Sequence, residues 1–478
     1  MVVLTTMIRR IFLLDTILPD SFWSLLAAFS GCFGGPSFQN FCAVIGGWVQ
    51  CLGRHTITAV ALASGELNRR HISVFHRFFA QAQWALDSVG LVVWGLALPW
   101  IGADQPLQVL LDDTLARKSG KCISLASIHH DPLLSSSRKP FFSFGHVWVV
   151  LALWVPLPIN RTRGFALPVL FRLYTGKRRG GQADAPSRRT TGQRQQAAAR
   201  AAEDSPGRTK LELGRELIGI VAKWAGQRTV YVATDSAYAG RTILEQRPPH
   251  VEVTSRLRMD AALWTPPPAR QTGQRGRPRR RGQRLPNPAL WAATRRFWHR
   301  LTLTLYGRPV TTQVFHKTAL WYVALRDQSV RIVIVRDPSG RRRDEAFFCT
   351  DVHASVAFIL ETYAHRWTLE VAFRDGKQHL GFEDPQQQVA LAVRRTAPMA
   401  FIVYDLVLLW AASRVQAGQV ITWVERPWYR HKMTPSFADL LTSLRHHAWR
   451  FSLFDPPLHA RCREKSPSAW DLAVLATA

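Results

Sequence analysis

Acidic residues are scarce in this sequence: Asp and Glu number 33 against 62 Lys and Arg in 478 residues. Where each acid sits is therefore informative. The apolar run Leu107–Leu111 ends at Asp112-Asp113-Thr114, and the run Thr229–Thr234 ends at Asp235. Carboxylates at the ends of strands in an α/β sheet can converge in one crevice. Two such groups repel unless a divalent cation lies between them, and Mg²⁺ takes hard oxygen ligands while keeping places for water and phosphate oxygens. A third carboxylate, delivered by a helix, would complete a site for two-metal phosphodiester chemistry. The region after residue 353 supplies a candidate. Tyr363, Arg366, Glu370 and Lys377 fall within roughly 60° of one another on an α-helix. A core stripe would be apolar, so this face is not core packing. A solvated face with an Arg366–Glu370 ion pair and a metal ligand flanked by phosphate-binding cations both account for it. Adjacent strand residues face opposite ways, so Asp112 and Asp113 remain alternatives at the first position. Glu361 lies nine positions before Glu370, on the opposite face, and Asp375 lies off the face, where it is expected to be solvated.

The elements that must position these groups follow from periodicity. Residues 20 to 100 read as helical, with apolar residues at three-to-four spacing. Within them, Asn68 to Phe79 mixes basic and aromatic residues and fits either an amphipathic core helix or a DNA-contacting one. From about 105 the pattern becomes strand-like, through Gly145–Val155 and Gly164–Tyr174. Residues 176–209 read as a basic loop, followed by a helix over Lys210–Ala225 and the strand that ends at Asp235. This order describes an α/β domain with a mixed sheet. Ala261 to Arg326 then contains 13 Lys or Arg and no Asp or Glu, a strong electrostatic footprint for a polyanion. Its centre carries Arg277, Arg279, Arg280 and Arg281 on an extended Pro- and Gly-containing segment, and these are candidate DNA-binding residues. Strands are expected over 300–305, 319–325 and 330–335. Beyond 353 the chain is helical again, over Ala354–Leu380 and, after a turn at Asp384-Pro385, over Gln387–Val415. The tail from Gln419 shows no pattern. The expected organisation is a helical N-terminal DNA-binding region (1–104), a first part of an α/β catalytic core (105–259), a basic strand-rich insertion (260–350), a helical second part of the core (351–418) and a C-terminal tail (419–478).

The net charge is +29, and a folded protein this basic requires a polyanionic partner to offset self-repulsion. Six cysteines occur with no C-x-x-C pair and no His at zinc spacing, which reads as buried thiols in a reducing compartment. The apolar runs 89–101, 147–158 and 398–412 fall short of the ~20 residues a spanning helix needs, so no membrane association is expected. The first 19 residues read as neither signal peptide nor anchor.

Tyr363-x₂-Arg366-x₃-Glu370-x₆-Lys377 resembles the Y-R-E-K signature of bacterial insertion-sequence transposases with an Asp-Asp-Glu (DDE) triad. All four residues match at that spacing. The order of elements is similar too: Asp-Thr after a first strand, an Asp after a later one, a strand-rich insertion, then the Glu helix. The resemblance implies a ribonuclease-H-like catalytic domain that performs cut-and-paste DNA transposition. It implies two Mg²⁺ or Mn²⁺ ions held by Asp113, Asp235 and Glu370, with Asp113 preferred over Asp112 by the Asp-Thr pattern. Tyr363, Arg366 and Lys377 would contact phosphates. The implied partners are double-stranded DNA, both terminal inverted repeats and target, bound by a homodimer in the bacterial cytoplasm at the nucleoid. An inactive DNA-binding relic, a structure-selective nuclease of the same fold and a basic membrane-associated protein are the competing readings. Lys118–Lys121, which lacks P-loop spacing, and His129-His130-Asp131 could serve DNA contact or metal binding, but are expected to form a surface loop.

Overall fold

The structure, a computed structural model, describes residues 18–120, 122–136, 138–176, 207–269, 276–424, 427 and 431–454. The first 17 residues, Lys121 and most of the expected basic loop (177–206) lie outside them. Five helices open the described chain: α1 (Asp20–Ala27), α2 (Gly35–Gln50), α3 (Ile57–Ala63), α4 (Ser73–Ala80) and α5 (Leu86–Ala97). They gather around aromatic side chains, with Phe78 stacked on Trp84 at 5.1 Å and Phe33 on Phe41 at 4.7 Å. In the basic-aromatic stretch 68–79, Phe75, Phe78 and Phe79 are buried. Arg70 is turned onto Glu66, Asn40 and Gln39. α4 is thus a core helix with a polar outer face.

One mixed sheet follows. Its strands are β1 (Leu107–Arg117), β2 (Ser127–His130), β3 (Phe142–Val155), β4 (Phe165–Tyr174), β5 (Val230–Thr234), β6 (Val251–Leu257), β7 (Leu263–Trp264), β8 (Arg284–Leu285), β9 (His299–Leu305), β10 (Arg308–Leu320), β11 (Ser329–Arg336) and β12 (Glu345–Cys349). β4, β3 and β1 form an antiparallel meander, and β1 then pairs in parallel with β5, which pairs in parallel with β6. The order β4-β3-β1-β5-β6 is the ribonuclease-H-like arrangement. Through β12 the sheet continues into β11, β10 and β9, so the insertion strands extend the core sheet. The strand expected over 319–325 lies earlier: β10 ends at Leu320 and the chain turns helical at Tyr322–Leu325.

Helices cover the two faces. α6 (Lys210–Ala225) begins with a capping box between Thr209 and Glu212 and packs against β3 and β4. Gly214 lets it lie close to the sheet, since a Cβ there would stand 3.0 Å from the Leu111 side chain. α7 (Pro288–Thr294) lies in the insertion. The expected single helix over 354–380 is two: α8 (Val356–His365) and α9 (Trp367–His379), broken at Arg366 by an i→i+3 turn in which the Arg366 amide bonds the Tyr363 carbonyl. α10 (Ala390–Gln416) is the central helix, almost wholly buried. By length and composition it could cross a membrane, although the sequence run within it was too short to suggest this. Here 94% of its apolar window is buried inside the protein. Gly376 sets α9 against α10, because a Cβ would reach 2.6 Å from the Phe401 ring. The tail, patternless on sequence, contains α11 (Phe437–Phe454), which buries Leu440, Leu441 and Leu444 and packs on α10.

Candidate active site

Parallel pairing of β1 with β5 runs from Leu107↔Val230 to Leu111↔Thr234. One further step brings Asp112 level with Asp235, where the strands end their pairing, and residues level in a sheet share a face. That face is covered by α9. The Asp112 carboxylate accepts from Arg366 Nη1 at 2.6 Å and from the Asp113 amide at 2.8 Å. The same Arg366 nitrogen lies 2.8 Å from Glu370 Oε1. The break between α8 and α9 places Arg366 at the junction, turned toward β1. Asp235 caps the turn that follows β5, accepting from the Ser236 amide at 2.6 Å. Its charge acts on both Arg366 and Tyr363.

Asp113, preferred on the Asp-Thr pattern, faces the other way. It accepts from Lys210 Nζ at 2.6 Å and from the Tyr238 hydroxyl at 2.9 Å, on the α6 side with Leu111. The structure therefore brings Asp112 and Glu370 together on Arg366, leaves Asp235 at the end of β5 within electrostatic reach of that guanidinium, and turns Asp113 to the α6 side. Lys210 and Tyr238 were not singled out as its partners. One signal was available: a lysine at the first position of a helix opposes the helix dipole, so another charge must hold it.

Electrostatics follow burial. Burial pushes the Asp112 carboxyl up to about 6, with Arg366 pulling the other way. For Arg366, burial favours the neutral form, but Asp112, Tyr363, Glu370 and Asp235 outweigh it and hold the guanidinium charged. Burial raises the Tyr363 phenol, which packs on Phe347 with ring centroids 4.8 Å apart. Lys377 turns inward, donating to the Leu115 carbonyl at 2.6 Å and pairing with Glu383 at 3.4 Å, and burial lowers its pKa. The junction end of α8 is fixed over the sheet by His365, which bonds Gln108 at 2.7 Å and stacks on Trp154 at 3.8 Å.

Among the described residues, no three His, Cys, Asp or Glu side chains stand close enough to hold a metal ion in this arrangement. The donor chemistry nevertheless fits a hard divalent cation. Asp112 and Glu370 both reach a single nitrogen, as two carboxylates sharing a cation must. Arg366 is the group such a cation would displace.

The other candidates are placed as follows. Arg277, Arg279, Arg280 and Arg281 are exposed. Arg281 stacks over Trp264 at 4.8 Å and over Tyr322 at 5.3 Å, within the insertion. Glu361 accepts from the Thr304 amide at 3.2 Å and ties α8 to β9. Asp375, expected in solvent, is 5% exposed and accepts from Arg374 at 2.9 Å, on the side of α9 that packs toward Tyr404 of α10. His129 and His130, expected in a surface loop, belong to β2, and Asp131 is buried. Lys118 donates to the carbonyls of Glu383 and Pro385, and burial brings its pKa down to about 8.

Residues 29–317 match the family described as DDE superfamily endonuclease. The matched span contains Asp112, Asp113 and Asp235 and ends before the α9 carboxylate. No curated protein matches the chain. Among solved structures, a cryo-EM structure of a piggyBac transposase synaptic complex with hairpin DNA aligns over 90% of this chain and 74% of that one, with a TM-score of 0.41 and 9% identity. From the matched span, more than half its length, the chain belongs to the DDE superfamily endonucleases.

Proposed function

We propose that this chain is a transposase of the insertion-sequence type with the Y-R-E-K signature, cutting the ends of a mobile element and joining them to target DNA. The observation that carries the reading is the meeting of Asp112 with the Arg366–Glu370 pair at the end of the parallel strands where Asp235 also stands. In this reading Asp112, in place of Asp113, joins Asp235 and Glu370 as the ligand set for two Mg²⁺ or Mn²⁺ ions. Bound there, the metals supply activation of the attacking water or 3′-hydroxyl and charge stabilisation at the departing oxygen. Arg366 holds the two carboxylates in place and then turns to a DNA phosphate, for which its planar fork is suited. Tyr363 orients Arg366, whose guanidinium lies 5.7 Å from its ring centroid. Lys377 sets the position of β1 through Leu115 and contacts the backbone of bound DNA. Arg277, Arg279, Arg280 and Arg281 neutralise phosphates farther along the duplex. Two element ends must be joined, so a homodimer on double-stranded DNA acting at the bacterial nucleoid completes the proposal.

A second reading, a DNA-binding relic without hydrolysis, draws on one specific observation. Arg366 stands between the carboxylates, and no three ligands are grouped among the described residues. Cleavage of labelled DNA carrying the element's own ends, with Mg²⁺, separates the two. The transposase reading expects the unaltered chain to cut and Glu370→Gln to bind without cutting. Binding without cutting by both establishes the relic, and equal cutting by both removes Glu370 from the site.

A further inference from the structure

The β2–β3 hairpin carries apolar side chains that the proposed reaction does not use. Ile128 is 72% exposed, Leu133 77%, Phe142 57%, and Phe141 and Phe144 are also exposed. A contiguous apolar patch on a folded surface marks a binding site. Two observations show that this one is built.

The first is its root. Asp131, at the end of β2, is buried and accepts from Arg117 Nε at 2.7 Å, from the Ser143 hydroxyl at 2.7 Å and from the Leu133 amide at 3.1 Å. The loop closes on itself as well: the Asp131 amide bonds the Phe141 carbonyl at 2.8 Å, and the Phe141 amide bonds Ser135 Oγ at 2.8 Å. A charge-assisted network of this kind fixes geometry, so the root from which Phe142 and Phe144 project is held in place before any partner arrives.

The second is its direction. Asp112 pairs with Val150 on β3, and Phe144 and Phe142 have the same parity along that strand, while Ile128 pairs with Phe144. Side chains of one parity share a face. Phe142, Phe144 and Ile128 therefore stand on the same face of the sheet as Asp112, where Arg366 joins it to Glu370.

Charge selects the occupant. From Thr114 to His146 the sequence has five Lys or Arg and one acid, Asp131, which is already paired internally. Arg138 and Lys139 stand exposed on the loop beside Phe141. A second copy of this chain would bring like charges together at the patch. Duplex DNA would meet cations with its phosphates and apolar wedges with its base steps, the combination by which proteins unstack and kink a duplex.

We propose that the β2–β3 hairpin is a DNA wedge, with Phe142 and Phe144 entering a base step of the duplex held across the active face. The proposal rests on the reading of this chain as DNA-binding. On β3, Val150, level with Asp112, is six residues from Phe144 and eight from Phe142, roughly 20–27 Å along an extended strand. At 3.4 Å per base pair this puts the distorted step about six to eight base pairs from the phosphate at Asp112.

The test uses the full chain and a 40-base-pair random-sequence duplex containing TA steps. Binding is followed by fluorescence anisotropy over a salt series, unstacking by permanganate reactivity of thymines, and mass by light scattering. The pair of changes Phe142→Ser and Phe144→Ser touches exposed side chains only, and circular dichroism checks that the fold is kept. The expected result is affinity lowered about tenfold, within the range that base–aromatic stacking is worth. Permanganate reactivity should be lost, with salt slope and mass unchanged. Unaltered affinity and reactivity in the variant, while the parent chain binds and distorts DNA, overturn the wedge and leave the DNA reading standing. A fall in mass from dimer to monomer without change in DNA binding makes the patch a self-association face and also overturns it. A parent chain that shows no salt-dependent binding removes both.

Discussion

The catalytic face and the basic insertion handle charge in opposite ways. Around β1, scarce acids are matched to cations: Asp112 and Glu370 to Arg366, Asp113 to Lys210, Asp131 to Arg117. In the insertion, cations outnumber acids, and the arginines rest on rings. Arg281 lies over Trp264 and Tyr322, Arg295 over Phe315 at 4.4 Å, and Arg326 over Tyr322 at 5.1 Å. Stacking occupies the face of a guanidinium and leaves its N–H edge able to bond a phosphate. The core thus uses charge to hold carboxylates in a fixed geometry. Apart from Arg336, which stacks on Trp298 and pairs with Asp344, the insertion's stacked arginines are held in position by rings. The first arrangement suits chemistry at one phosphate, and the second suits grip along many.

The sharpest way to break this comparison is to neutralise the two neighbouring aspartates one at a time. If the Arg366 side of β1 is the reactive one, Asp112→Asn lowers cleavage by more than roughly 100-fold, beyond what changes to groups supporting a metal ligand produce. Asp113→Asn leaves Lys210 unpaired and costs stability, with cleavage by the folded fraction kept within about tenfold. Rates per folded molecule, with Tm measured in parallel, decide it. The reverse ranking would return the site to the α6 face.

Much of this site was legible because strand ends and helix faces are local properties. Apolar runs ending at Asp112-Asp113 and Asp235 are read along the chain, and so is the polar face of Arg366 and Glu370. What could not be read depends on packing between distant segments. Whether Asp112 or Asp113 faces the reaction is decided by which helix covers which side of β1. Packing of α9 on α10 and β1 buries Asp375, which the helical wheel alone placed in solvent, and directs Lys377 to Leu115 and Glu383. α11 is a different case. Phe437, Leu440, Leu441 and Leu444 stand at helical spacing, but the Pro, Trp and His residues around them obscured the period.

The insertion side of the comparison is sharpened by salt. Each arginine that meets a phosphate contributes roughly 0.9 to the slope of log binding constant against log salt on duplex DNA. Replacing Arg277, Arg279, Arg280 and Arg281 together by Ala should lower the slope accordingly and weaken binding at every sequence alike. Cleavage at saturating DNA should be little changed. A slope that stays constant would show that the stacked arginines serve the insertion's own packing. Single replacement of Arg281 by Lys keeps the charge but loses the planar stack on Trp264 and Tyr322, so any loss it causes measures pre-organisation apart from charge.

The smallest expected effect concerns the root of the hairpin, where a core-type ion pair supports a surface device. The Arg117 guanidinium bonded to Asp131 holds its carboxyl well below the usual carboxylate range, helped by the Ser143 hydroxyl and the Leu133 amide. A carboxylate whose pKa is lowered by folding contributes stability that is fully present above its unfolded value, near 4, and is lost as pH falls through the folded value. Asp131→Asn keeps the shape and removes the charge. Arg117 is partly exposed, so solvent screens the pair, and the cost at pH 7 should be only about 1–2 kcal/mol. Urea midpoints of both chains at pH 7, 5, 4 and 3 give the sign. The gap between parent and variant should hold constant down to about pH 4 and narrow below it, where the unfolded parent begins to take up the proton that its folded form resists. A gap that stays constant to pH 3 would mean that Asp131 contributes by shape alone, and the hairpin root would then be a packing feature in place of an electrostatic clamp.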